Sequence, residues 1–125
     1  MPDSAPPIGP GLRAYQRIAD AWLLTDGERC ALIGVDPRTM HAWGTEPPAE
    51  LSPEQLLRLS YLLGVYEGLA RVFRRSPALA GQWMRTPRED APFVCQTPVA
   101  FAVAGGLPAL AALRAYIDRA SGGPG

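Results

Sequence analysis

The chain has 125 residues and a mass of 13.4 kDa, 47% of its residues are hydrophobic, and twelve basic residues, all arginine, balance twelve acidic ones. That length fits one ordinary domain or two small helical units sharing part of their surface, with apolar residues enough for a core that needs no metal or disulfide staple. Zero net charge excludes a global field drawing the chain onto nucleic acid, so any DNA contact must come from a local patch. No apolar run approaches the roughly 20 residues that cross a bilayer, and the N-terminus lacks the basic start and apolar stretch of a secretion signal. Cys30 lies within an apolar helical pattern, so Cys30 and Cys95 are expected to be reduced thiols in a cytoplasmic protein.

Residues 1–10 are Pro-rich and predict a flexible tail that cannot bury enough surface to offset its ordering entropy. A first unit is predicted over residues 11–46. Leu12, Tyr15, Ile18, Ala19, Trp22 and Leu23 recur at helical spacing on one face. Thr25-Asp26-Gly27-Glu28 fits a capping box that starts a second helix running to about Ile33. Gly34-Val35 makes the turn, and Asp36-Pro37 opens a third helix ending near Trp43.

Residues 44–51 contain Pro47-Pro48 and lack helical periodicity, which predicts a connector. A second unit is predicted over residues 51–121, with a flexible tail at 122–125. Ser52-Pro53-Glu54-Gln55 is another capping box, and it opens the longest apolar pattern: Leu56, Leu59, Leu62, Leu63, Tyr66, Leu69, Val72 and Phe73. Gly64 and Gly68 sit four apart in it, which fits either close approach by a neighbouring helix or a break near Gly64. Ser76-Pro77 starts a short helix carrying Leu79, Trp83 and Met84, stopped at Thr86-Pro87. After a loop to Gln96, Thr97-Pro98 caps a helix through Val99, Phe101 and Val103 that ends at Gly105-Gly106. Pro108 then begins the last helix, with Leu110, Leu113, Tyr116 and Ile117 at helical spacing. No segment alternates as a strand would, so the predicted fold class is all-α.

An enzyme is not expected. His41 is the single histidine, no Ser or Cys nucleophile has a titratable partner spaced nearby, and one His with two distant Cys gives no metal-ligand spacing. No glycine-rich loop follows a strand, so no cofactor is implied. The informative constellation lies between Thr25 and Trp43, which has the proportions of a helix-turn-helix. Its third helix would turn Met40 and Trp43 inward and Arg38, Thr39, His41 and Ala42 outward. In a DNA-binding motif Arg38, Thr39 and His41 would face the major groove, while Arg13, Arg17 and Arg29 would contact phosphates. An ordinary three-helix bundle is the competing reading. It is favoured by Asp20, Asp26, Glu28, Asp36 and Glu46, which outnumber the four arginines of this region. Arg74-Arg75 reads either as a partner-binding patch or as a complement to a helix dipole.

The stretch Leu51-Ser52-Pro53-Glu54-Gln55-Leu56-Leu57-Arg58-Leu59-Ser60-Tyr61-Leu62-Leu63-Gly64-Val65-Tyr66, followed by Phe73, Trp83, Thr86-Pro87, Pro92-Phe93, Thr97-Pro98 and Gly105-Gly106, resembles the toxin-binding domain of Xre/MbcA/ParS-type antitoxins. With the preceding helix-turn-helix, the similarity covers about Leu12 to Ala120. The resemblance implies an antitoxin of a type II toxin-antitoxin system. Such a protein forms a homodimer, binds and silences a NAD-depleting RES-domain toxin, and binds the operator of its own operon. Arg88 stands where the family tends to have Asn, and Val94-Cys95-Gln96 where it has a glycine-containing turn. The implied inhibition is steric, with the last helix nearest the toxin's cleft. There Arg114 and Arg119, read as exposed, would pair with acidic groups, Asp118 with arginines, and Tyr116 would be either core or an interface anchor. A transcriptional regulator without a toxin partner is the alternative.

Overall fold

Side-chain caps set where five of the six helices begin. The computed structural model describes residues 9–122, so the predicted tails lie, apart from Gly9, Pro10 and Gly122, outside the described residues. The helices are α1 (Pro10–Ala21), α2 (Asp26–Ile33), α3 (Pro37–Trp43), α4 (Pro53–Val72), α5 (Pro77–Met84) and α6 (Pro98–Ala120), and no strand occurs among the described residues. Thr25, Asp36, Ser52, Ser76 and Thr97 each accept a backbone N–H three residues on, which satisfies a donor that the helix itself cannot. At α2 and α4 the box is reciprocal, because Glu28 and Gln55 accept the cap residue's own N–H at 2.9 and 2.8 Å. Gly34 closes α2 at φ 81°, the left-handed conformation that an L side chain resists.

One apolar core runs through all of these helices except α3, whose Met40 and Trp43 pack against it half-buried. Leu12, Tyr15, Ile18 and Trp22 from α1 and its cap, Leu32 and Ile33 from α2, Leu59, Leu62, Val65 and Leu69 from α4, Met84 from α5, Phe93, and Leu110, Leu113 and Ile117 from α6 belong to the same buried cluster. The connector at residues 44–51 therefore bends the chain without interrupting the packing. The packing also answers the question left open at Gly64. Helix α4 is unbroken, and Gly64 and Gly68 are where α6 crosses it: a Cβ at Gly64 would collide with the Arg114 side chain, and one at Gly68 with Cγ2 of Ile117.

Several expectations are corrected. The first helix starts at Pro10 and ends at Ala21, so Leu23 leaves the apolar face: it sits at φ 56° and is 74% exposed, and Leu24 is buried instead. Leu56 and Val72 of the α4 pattern, and Leu79 of α5, are exposed because they fall on the outer flank of their helices. The last two predicted helices form the single element α6 with a break inside it, since Gly106 has φ 65° and ψ −146° and Pro108 follows. By length and composition this 23-residue α6 is long and apolar enough to cross a membrane, contrary to the expectation that no such run exists. It carries the break at Gly106, and it buries Val99, Ala102, Leu110, Leu113 and Ile117 in the shared core, while 28% of its most apolar window is buried.

Candidate functional site

The α2–turn–α3 unit is built as a local module and then clamped from outside. Asp36 Oδ1 accepts the Thr39 N–H at 2.7 Å, and this bond with the backbone N–H holds the Asp36 carboxyl below the usual carboxylate range. From α4, Arg58 reaches over the turn: its Nε pairs with Glu54 at 3.0 Å, and its Nη1 lies 3.4 Å from the Ala31 carbonyl. The left-handed φ of Gly34 favours glycine at the turn, and a Cβ there would stand 2.7 Å from Arg58 Nε, so the overlying side chain would have to shift. Arg58 has no signal in the local sequence beyond its Glu54 partner at i−4.

A second clamp joins α2 to the end of α5, where Arg85 donates to both Glu28 carboxylate oxygens at 3.0 and 3.3 Å. Burial raises the Glu28 pKa, but the Arg85 contact and the Thr25 bonds outweigh it, and the carboxyl ends below its usual range. Burial pushes the Cys30 thiol up. Burial pushes the Tyr15 hydroxyl up strongly, and it donates at 2.6 Å to the Arg29 carbonyl.

The outward face of α3 carries Arg38, His41 and Ala42 in the open, with Thr39 half-buried beside its cap. The arginines expected at phosphates divide among different surfaces. Arg29 is engaged internally, donating to Asp20 at 2.9 Å and to the Leu24 carbonyl at 3.2 Å. Arg13 is exposed on α1. Arg17 faces a groove with Tyr66, Arg71 and Arg75, whereas the flank of α1 that meets α3 is that of Tyr15 and Gln16, beside Met40 and Trp43. Of the residues expected to bind DNA, then, Arg38, Thr39 and His41 lie together on α3, and Arg29 borders a hollow with Met40 and Trp43 of that helix.

The C-terminal face departs further from expectation. Arg114, expected to be exposed, lies across Gly64. It is half-buried, pairs with Asp118 at 3.3 Å and lies 3.4 Å from the Ser60 carbonyl, so Arg114 and Asp118 satisfy each other within the chain. Arg119 is exposed. Tyr116 is half-buried and packs against Phe93 and Trp83, with ring centroids 5.0 and 6.0 Å away. Its hydroxyl donates to Asp90 at 2.6 Å, and that bond holds the Asp90 carboxyl down and the phenol up. Arg88 completes this corner, 5.1 Å over the Trp83 ring and paired with Asp90 at 3.4 Å. The loop itself is pinned by two backbone bonds between Arg88 and Cys95–Gln96 at 2.7 and 3.1 Å, and it leaves Val94 69% exposed at φ 49°.

With this geometry in place, comparison with protein families finds that residues 9–64 match the antitoxin Xre-like helix-turn-helix domain. The match runs from the first residues of α1 to the point on α4 where α6 crosses, so it takes in the α2–α3 unit together with Arg58, which overlies its turn. It supports a helix-turn-helix of the antitoxin, DNA-binding kind, a regulatory rather than an enzymatic domain. Comparison with curated proteins finds no match.

Proposed function

We propose, from the Xre-like antitoxin helix-turn-helix that residues 9–64 match, that the chain is the antitoxin of a type II pair. In this reading it acts in the cytoplasm as a homodimer, covers the NAD cleft of a RES-domain toxin with its C-terminal part, and represses its own operon through α3. No chemistry by the antitoxin is needed, because occluding a cleft denies substrate as effectively as altering it. The observation that carries the proposal is the family match. The ordered motifs from Leu51 to Gly106 carry the choice of toxin class.

The internal pairing of Arg114 with Asp118 shifts the C-terminal contacts toward Arg119 and neighbouring exposed positions, unless toxin binding opens that pair. It also favours the second reading, an operator-binding regulator with no toxin, since two of the candidate contacts already have partners in the free chain. Co-expression with the product of the adjacent gene separates the two. Rescue of growth and of cellular NAD together with a co-purifying complex supports the antitoxin. Operator binding with neither rescue nor complex leaves the regulator.

A further inference from the structure

A groove of about 430 Å³ runs along α1 and α4, lined by Arg17, Leu63, Tyr66, Glu67, Arg71 and Arg75. It shares Tyr66, Ala70 and Arg75 with a smaller hollow of about 120 Å³ that reaches Pro77 and Ala80 of α5. Three guanidiniums, from α1, from α4 and from the turn after α4, thus border one trough with a single carboxylate, Glu67, in a chain whose net charge is zero. Five of the arginines elsewhere are neutralised at home: Arg29, Arg58, Arg85, Arg88 and Arg114 each pair with a carboxylate of this chain. Arg71 reaches only the Ser121 hydroxyl, at 3.3 Å, and neither Arg17 nor Arg75 has a carboxylate partner among the described residues.

The dipole of α4 accounts for positive charge at its C-terminal end. It does not account for Arg17, which comes from α1. Arg75 follows that end of α4 and stands at φ 64° directly after Arg74 at φ 52°. Left-handed residues after a helix are usually glycine, because a Cβ is strained there. Keeping an arginine in that conformation is informative when its side chain borders the same trough as Arg17.

We propose that this groove is a docking site for an acidic segment of a partner protein. Carboxylates would seat among Arg17, Arg71 and Arg75, whose planar forks suit them, and apolar side chains would lie on Leu63, Tyr66, Ala70 and Pro77. DNA is disfavoured as the occupant, because the groove lies on the flank of α1 away from α3 and Ile18, Leu63 and Ala70 share its lining with the arginines. The proposal does not depend on the identity of any toxin.

The test is selection of random displayed peptides on the full chain, followed by titration of the best binder and of its Asp/Glu→Asn/Gln counterpart. Chemical-shift mapping locates the site, and an oligothymidylate serves as the phosphate probe. The expected result is an acidic, apolar consensus whose binding shifts the amides of Ala14, Leu63 and Ala70. Affinity should fall at least about tenfold in Arg17→Gln and again in Arg75→Gln, the lower end of the range for a charge-assisted hydrogen bond, and stay unchanged in Arg38→Gln. Selection without acidic bias, shifts confined to α3, binding indifferent to both arginines, or an oligothymidylate taking the peptide's place would each overturn it.

Discussion

The hydroxyl of Tyr116, near the end of α6, donates a 2.6 Å hydrogen bond to Oδ2 of Asp90, in the loop that follows α5. That bond joins segments 26 residues apart, and it fixes the loop against the aromatic corner of Trp83 and Phe93. Tyr116→Phe keeps the ring and removes only the bond, so it should lower the melting temperature without opening the core. The Asp90 carboxyl, held down mainly by this bond, should then titrate nearer the ordinary carboxylate range by carbon-detected NMR. Because its folded-state pKa is depressed, the linked stability is present above the unfolded value and is lost as pH falls through the folded one. Acid denaturation of Tyr116→Phe should be correspondingly shallower.

The crossing of α4 and α6 gives a sharper test. Gly68→Ala puts a methyl against Ile117, which is buried, so overpacking should cost about 1 to 3 kcal/mol in denaturant unfolding. Ile117→Ala in the same chain removes the offending methyl, and the double variant should be more stable than the sum of the single effects. Gly64→Ala meets the flexible Arg114 side chain instead. It should cost less, but it should displace the Arg114–Asp118 pair.

At the helix-turn-helix, Gly34→Ala should destabilise by at least about 1 to 2 kcal/mol from its left-handed backbone alone. Adding Arg58→Ala clears the side chain above but leaves φ unchanged, so it should restore only part of the loss. Full rescue would mean that the collision, and not the backbone, makes the position glycine.

Arg85→Gln removes the bidentate link to Glu28. Both side chains are partly exposed, at 34% and 23%, so the loss should be no more than about 1 kcal/mol and should shrink as salt rises. Glu28 is net depressed, so this contribution holds above the ordinary carboxylate range and disappears as pH falls through the folded value.

For operator DNA taken from upstream of the gene, Arg38→Ala should weaken binding. If Arg38 contacts a phosphate, the salt slope should fall by about one; if it contacts a base, sequence preference should relax instead. Arg17→Gln, on the other flank of α1, should leave operator affinity unchanged. An equal loss in both variants would put the DNA across α1 and contradict the assignment of α3.

How much was legible beforehand follows from the range of the forces involved. Thr25, Asp36, Ser52, Ser76 and Thr97 act on amides three residues away, and Gly34 and Gly106 act on their own dihedrals, so helix starts, the turn and the break near Pro108 could be read from the sequence alone. Periodicity likewise found the buried faces of α1, α4 and α6, and it failed at Leu23, Leu56 and Val72, at the ends of helices or on their outer flanks. Charge was different. Long arginine side chains choose among carboxylates that the fold brings near, so Arg85 found Glu28 across 57 residues and Arg58 came to cover a turn 24 positions earlier. The sequence by itself determined an all-helical chain with a helix-turn-helix. Only the tertiary structure decided which arginines pair with carboxylates of the chain itself, because ion pairing depends on proximity in space, while capping and periodicity depend on proximity along the chain.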